Sequence, residues 1–541
     1  MHRVTGLDAL FLYMETPTTP MHVAGLAVCR PEDPDADVYE AVRAQIAARI
    51  YEFPAFQRVL IPAPLGLDHP VWETAETLDL DHHIRRAALP RPGGRAELMA
   101  LVEELHTHLL DRKRPLWQFT VIEGLEGGRF ALYMKSHHAI LDGLAGAMAV
   151  EQLADRAPVL HPPVPHRPIR LSSKRPGWFE RLGLAVGNLV QQQVNLAASS
   201  PAFLDAGRKL LLRARPSSGE GGSHAVPRTI LNGTIGPERA FGIASIGLAD
   251  VHALAKGLGC TVNDVILAAT GGALRRWLEA KKALPPQPLV AMVPVSLREK
   301  GEVDVANHLT FCFPHLGTDV ADPVERLRAI VATMGRLKRT VSDVKKAMPN
   351  DFSVIGAPWL LPMVWRTIEG AGLAVAIPPF MNLIVSNVPG PRRPLWFGGA
   401  EVEAFYPVSV AAHGVAMNVT LHSYNGRIDV GVIAARDVCA EAQAVADAIV
   451  SEFGALRAAA EAEAAKPLPA KRKTASPAAR KRAPAPKRAA TKASGQERPA
   501  RQAAAAQKKP SAKAAVTRPG SGAKAKAGRA AARKPGASRR G

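Results

Sequence analysis

The stretch YMKSHHAILDGLAGA, residues 133–147, puts adjacent His137 and His138 at the end of an apolar run and follows them with Asp142 and Gly143. Three chemistries fit these residue types. Histidine and aspartate are common metal ligands, although neighbours on a strand face opposite ways and rarely chelate one ion together. A histidine pair can also sit in the core with its hydrogen bonds satisfied. Or one histidine is a general base, its pKa naturally close to neutrality and a carboxylate nearby to fix local geometry. Residue types alone choose none of the three.

The elements around the pair are readable. WQFTVIEGL and RFALYMKSHH alternate apolar and polar residues on either side of EGG, which predicts a hairpin whose second strand ends at the histidines. From Gly143 onward GLAGAMAVEQLAD predicts a helix of small residues able to lie close to that strand. Upstream, a Pro/Asp-rich turn and apolar positions at helical spacing predict a helix from about Val38. RAPVLHPPVPHRP and RARPSSGEGGSHAVPR interrupt the chain on either side of an amphipathic segment from Trp178 to about Leu212, bracketing a crossover between two halves. In the second half, TVNDVILAATGGALRRWL predicts a capped helix, and PLVAMVPVSL, MNLIVSNV and RIDVGVIAA predict strands. Helices and strands mixed in both halves imply α/β or α+β layers. No short repeat interrupts the pattern.

Charge is divided unevenly. Residues 466–541 hold 23 Lys/Arg against the single acid Glu497, so residues 1–465, with 46 basic and 47 acidic residues, are close to neutral although the whole chain carries +21. The basic segment has no aromatic residue and little to bury, which predicts disorder. Cys29, Cys260, Cys312 and Cys439 are widely separated, signalling neither a disulfide framework nor a zinc ribbon and fitting a reducing cytoplasm. The opening MHRVTGLDALFLYMETPTTP carries Asp8 and Glu15 among its apolar residues and does not read as a secretory signal. No apolar run reaches the roughly 20 residues a membrane-spanning helix needs.

The histidine segment resembles the HHxxxDG motif of the bacterial wax ester synthase/diacylglycerol acyltransferase family, related to acyltransferases shaped like chloramphenicol acetyltransferase. GLDALFLYMETPTTPMHVAGL, LDRKRPLWQF, RTILNGTIGPERAF, VNDVILAATGGALR, PVSLR and NLIVSNVPGP resemble further blocks of that family, in its order, from about Gly6 to Val438. Gln118 departs from it, standing where an acid often follows PLW.

The resemblance implies an α/β fold of mixed sheets in two chloramphenicol-acetyltransferase-like domains, 1–155 and 229–465. A crossover linker, 156–228, joins them, and a disordered basic tail, 466–541, follows. It implies that His138 is the general base, with His137 in support and no acyl-enzyme intermediate. Asp142 would be structural, paired with Arg298, and Gly143 would permit the tight strand exit. Asn263 and Asp264 would approach the channel, Asn263 being alternatively an N-cap; Ser386 and Asn387 would line a substrate tunnel or build a turn. Trp117, with Pro115 and Leu116, would be structural, or at most a wall of the acyl cavity.

The implied activity is esterification of diacylglycerol with acyl-CoA as co-substrate, without metal or cofactor. Wax ester synthesis on long-chain alcohols is the alternative, and a non-catalytic lipid-surface or nucleic-acid-binding protein on the same fold is the rival. An anionic membrane or lipid-droplet surface fits the tail as partner, as does nucleic acid bound without sequence preference.

Overall fold

A computed structural model describes residues 2–4, 6–141, 143–163, 165, 168–171, 177–191, 226–296, 309–344, 363, 367 and 378–465. The first half runs β1 (His2–Arg3), α1 (Gly6–Met14), β2 (His22–Arg30), α2 (Val38–Arg49), β3 (Arg58–Ile61), β4 (Val71–Thr77) and α3 (Leu80–His83). It continues with β5 (Ile84–Ala88), α4 (Arg95–Thr107), β6 (Trp117–Leu125), β7 (Arg129–His137) and α5 (Gly143–Leu153). Then come β8 (Arg170–Leu171) and a helix over 178–191, α6. The second half runs β9 (Arg239–Gly247), α7 (Leu248–Gly257), α8 (Val262–Ala280), β10 (Ala291–Ser296), β11 (Leu309–Cys312), α9 (Pro323–Val344) and β12 (Leu383–Val388). It ends with β13 (Trp396–Phe397), β14 (Ala400–Val408), β15 (Met417–Tyr424), β16 (Arg427–Ala435) and α10 (Ala442–Ala464).

The elements start where local chemistry allows them to. Asp37 accepts the Glu40 N–H and so opens α2 at Val38, as the sequence predicts. Thr261 and Asp264 exchange hydrogen bonds in a capping box that opens α8. The predicted hairpin is β6–β7, antiparallel with Thr120 opposite Tyr133; Gly127 and Gly128 both take positive φ in its turn, where a side chain would be strained.

Two six-stranded sheets carry the fold, in the orders β13-β14-β2-β7-β6-β5 and β11-β10-β12-β15-β16-β9. A smaller sheet of β1, β4, β3 and β8 covers one side. The first sheet is completed by β14, a strand from the second half, antiparallel to β2. It passes so close to the second sheet that a Cβ on Gly431 would lie 1.8 Å from the Pro407 carbonyl oxygen, which excludes every larger residue at that crossing. Each sheet covers its own apolar core. A third cluster, with Leu26, Ala131 and Tyr133 from the first half and Phe241, Ile243 and Ile433 from the second, fuses them. All of this lies in one unit running from Met1 to Leu468; the basic tail, 466–541, and the segment 192–212 lie outside the described residues.

Candidate active site

The histidine pair stands where β7 leaves the sheet. His22 of β2 is opposite His137, and the period of the strand puts Tyr133, Lys135 and His137 on one face, toward α4 and the second half. His137 is fully buried. Its Nδ1 accepts the Ala139 N–H at 3.0 Å, so the ring proton of the neutral imidazole sits on Nε2, 3.2 Å from Glu15 Oε1. The other Glu15 oxygen accepts from Arg112 Nη2 and Nε at 2.9 and 3.1 Å, and Arg112 Nη2 also donates to the Leu12 carbonyl at 2.6 Å. Burial pushes the Glu15 carboxyl up, but His137 and then Arg112 outweigh it, holding the group below its ordinary value. The His137 backbone is equally committed: its N–H donates to Leu116 and its carbonyl accepts from Ile140.

His138 is arranged differently. It lies in the turn after the strand and is only half-buried, its N–H donating to the Met21 carbonyl at 2.9 Å. Its imidazole stacks on Phe11 of α1, centroids 4.0 Å apart and planes 14° from parallel. Of two adjacent histidines, one is sealed with its ring committed to Glu15 and Ala139, and the other keeps a half-buried ring, stacked on Phe11, on a fixed backbone. A general base needs the second arrangement.

Behind the pair, Lys135 Nζ donates to the carbonyls of Leu105 and His108 at 2.7 and 2.8 Å. It thereby satisfies the C-terminal end of α4, and burial brings its pKa down to about 8. His106 bridges Tyr133 Oη at 2.7 Å and the Ser409 carbonyl at 3.1 Å. A carbonyl only accepts, so His106 Nε2 carries the proton and Nδ1 receives the Tyr133 hydroxyl.

The other predicted residues fall in several places. Asp142 and Arg298 lie outside the described residues; Gly143 is the first residue of α5. The N-cap of α8 is Thr261, not Asn263: the threonine hydroxyl reaches the Asp264 N–H, which puts half-buried Asn263 inside the first turn. Asp264 is buried, one oxygen accepting from both the Thr261 N–H and its hydroxyl. Ser386 and Asn387 sit on β12 opposite Thr420 and Leu421, and this strand packs against α5. Trp117 is enclosed in the first core, its indole N–H on the Phe56 carbonyl at 2.8 Å and its ring stacked on His83.

Sequence reasoning missed Glu15. Its acid charge appears there only as a break in an apolar opening. The missed signal is that charge itself: a carboxylate closing an apolar helix must find a partner when the helix packs. Glu15→Gln keeps an acceptor for His137 but loses the charge that Arg112 needs, and kcat is expected to fall about tenfold with KM little changed, a small displacement at a reacting centre being costly. Steady-state CoA release measures it; an unaltered kcat would mean the carboxylate does not bear on the reaction.

Among the described residues no cluster of three or more His, Cys, Asp or Glu is placed to hold a metal ion. The family described as the wax ester synthase/diacylglycerol acyltransferase catalytic domain matches residues 4–266, and its C-terminal domain matches 305–457. The O-acyltransferase WSD of Acinetobacter baylyi is 35% identical over 451 residues, covering 81% of this chain and 93% of that protein. A Mycobacterium tuberculosis protein named as a diacylglycerol O-acyltransferase is 35% identical over 439 residues, 79% of this chain and 93% of its own length. The structure of the wax ester synthase/diacylglycerol acyltransferase of Marinobacter aquaeolei, 32% identical, superposes with a TM-score of 0.61 over 85% of this chain and 100% of that one. A trichothecene 15-O-acetyltransferase from Fusarium sporotrichioides, at 14% identity and a TM-score of 0.50, shares the fold.

Proposed function

We infer that this chain, which belongs to the wax ester synthase/diacylglycerol acyltransferase family and is an acyltransferase, moves the acyl group of acyl-CoA to the free hydroxyl of diacylglycerol with His138 as general base. The observation that carries the reading is the asymmetry of the pair: His137 is fully buried against Glu15, while His138 is only half-buried on a turn anchored by its N–H to Met21.

The reaction then runs in one displacement. The His138 imidazole takes the proton of the acceptor hydroxyl as that oxygen adds to the thioester carbonyl. The tetrahedral intermediate collapses, the C–S bond breaks, and the proton passes to the CoA thiolate, leaving triacylglycerol and CoA. No bond forms between acyl group and protein. His137 holds the backbone that carries the base, and Asp142 pairs with Arg298 to hold the loop after it. Asn263, at the start of α8, donates toward the developing oxyanion, and Ser386 and Asn387 line the tunnel alongside α5.

Purified protein given palmitoyl-CoA with diacylglycerol, monoacylglycerol or hexadecanol is expected to release CoA fastest with diacylglycerol. Hexadecanol ranking first would instead make it a wax ester synthase, the second activity its family name carries.

A lipid surface is the proposed partner. No single described helix is long and apolar enough to cross a membrane. However, α6 exposes Trp178, Phe179, Val186 and Val190 on one side and Leu184 on another, Phe179 at 82%, apolar side chains suited to lying in an interface. The 23 basic residues of 466–541 would add attraction to anionic headgroups, on the order of 1 kcal/mol each near the surface and screened by salt. A chain ending near Lys466 is expected to keep its specific activity on dispersed substrate and to lose low-salt binding to anionic vesicles and to DNA. Undiminished vesicle binding would transfer the anchoring to α6.

A further inference from the structure

The loop between α1 and β2 serves both histidines. At its start Glu15 faces the His137 ring, and near its end the Met21 carbonyl takes the His138 N–H. Between them Thr16 and Thr19 exchange backbone hydrogen bonds at 3.2 and 3.0 Å, closing the loop on itself. It is short, self-paired and buried at Thr19 and Met21, so it moves as one piece.

The other side of that piece is held by the second half. Arg239, the first residue of β9, is 2% exposed, and its guanidinium is spent on carbonyl oxygens. Nη1 donates to Gly236, Pro237 and Glu238 at 2.8, 3.2 and 3.1 Å; Nη2 donates to Thr18 at 2.7 Å and Ala411 at 3.3 Å. His413 is also buried, and its Nδ1 accepts the Ile235 N–H at 3.1 Å. That leaves Nε2 to carry the proton, which it donates to the Thr18 hydroxyl at 3.2 Å. Two side chains of the second half therefore converge on one residue of the loop that orients the histidine pair. The apolar cluster around Tyr133 and Phe241 already joins the halves, so these directional contacts are not needed as glue; what they add is register.

We propose that Arg239 and His413 are positioning residues for acyl transfer, fixing the Thr16–Met21 loop so that His138 is registered to the half of the protein that carries Asn263. The proposal rests on the reading of His138 as the base. It makes the second half a determinant of kcat through a contact that lies on neither substrate.

The two nitrogens of His413 separate this role from a structural one. In the full chain, His413→Asn places an acceptor where Nδ1 was, keeping Ile235, but offers nothing to Thr18. His413→Gln extends an amide N–H to where Nε2 was, keeping Thr18. With palmitoyl-CoA and diacylglycerol, kcat of His413→Asn is expected to fall by about tenfold or more, and that of His413→Gln to recover to within about threefold of the parent. KM for palmitoyl-CoA should stay within about twofold in both, as expected when substrate binding is untouched. Arg239→Lys, which cannot span the same carbonyls, should fall in parallel with His413→Asn. The parent ranking reversed, both His413 variants equally impaired with lowered thermal midpoints, or an unchanged kcat in His413→Asn would each overturn the proposal. His138→Ala in the same series tells which idea has failed: if it stays active the base assignment falls and the positioning role with it, whereas an inactive His138→Ala beside a fully active His413→Asn removes the positioning role alone.

Discussion

His138→Ala loses acyl transfer by on the order of 10²–10⁴-fold, the usual contribution of a positioned base, and remains folded. The two effects differ enough in size to be told apart. The loss corresponds to roughly 3–5.5 kcal/mol of transition-state stabilisation. The imidazole stacks on Phe11, and an aromatic pair of this kind contributes about 0.5–1.5 kcal/mol. The backbone contact to Met21 survives the substitution. CoA release and thermal unfolding on the same preparation check both statements. Turnover like the parent's would remove the base, and the one-step mechanism with it. His137→Ala should retain more activity, because its ring is fully buried and committed to Glu15 and Ala139.

Which parts of this were legible follows from the range of the forces involved. The β6–β7 hairpin, α5 and α8 are set by local alternation, by glycines in a tight turn and by a capping box, all contained within a few residues. They could be read directly, and so could the exit of the strand at the histidines. The addition of β14 to the first sheet joins residue pairs such as Phe405 and Ala27, and no pattern within either segment announces the other. Glu15 and Arg112, or Arg239 and Thr18, are likewise brought together only by the fold. The family resemblance supplied the expected role of His138, with His137 in support, but not the contacts of Glu15, Arg112 and Met21 behind the pair. Even at α8 the cap fell two residues earlier than Asn263, because threonine at 261 could close a reciprocal box with Asp264.

The polar interior also has a cost in acid. His22, His83, His106 and His422 are all buried, and burial is the first cause of the depressed pKa of each: to about 4 for His83 and His422, to about 3 for His106, and well below the ordinary value for His22. The neighbouring charge of Lys135 works in the same direction at His22 and His106. Local geometry agrees, since His83 Nδ1 donates to the Trp117 carbonyl while its Nε2 is buried with no hydrogen-bonding partner to receive a second proton.

In the unfolded chain these groups titrate near 6.5, so below that pH the unfolded state binds protons that the folded state refuses. Stability therefore holds above about pH 6.5 and declines as pH falls toward the folded-state values, each group contributing up to about 1.4 kcal/mol per pH unit. By pH 5 His83, His106 and His422 together should remove roughly 4–6 kcal/mol, comparable with the whole stability of a typical domain, and His22 acts in the same direction. Glu15, its pKa depressed in the fold, adds to the loss only at lower pH, once carboxylates of the unfolded chain begin to protonate. Denaturant midpoints measured at pH 7.5, 6 and 5 should fall steeply, and His106→Gln should make the decline between pH 6 and 5 shallower by up to about 1.4 kcal/mol per pH unit. A midpoint independent of pH across that range would mean that these histidines take up protons in the folded protein as readily as they do in the unfolded chain.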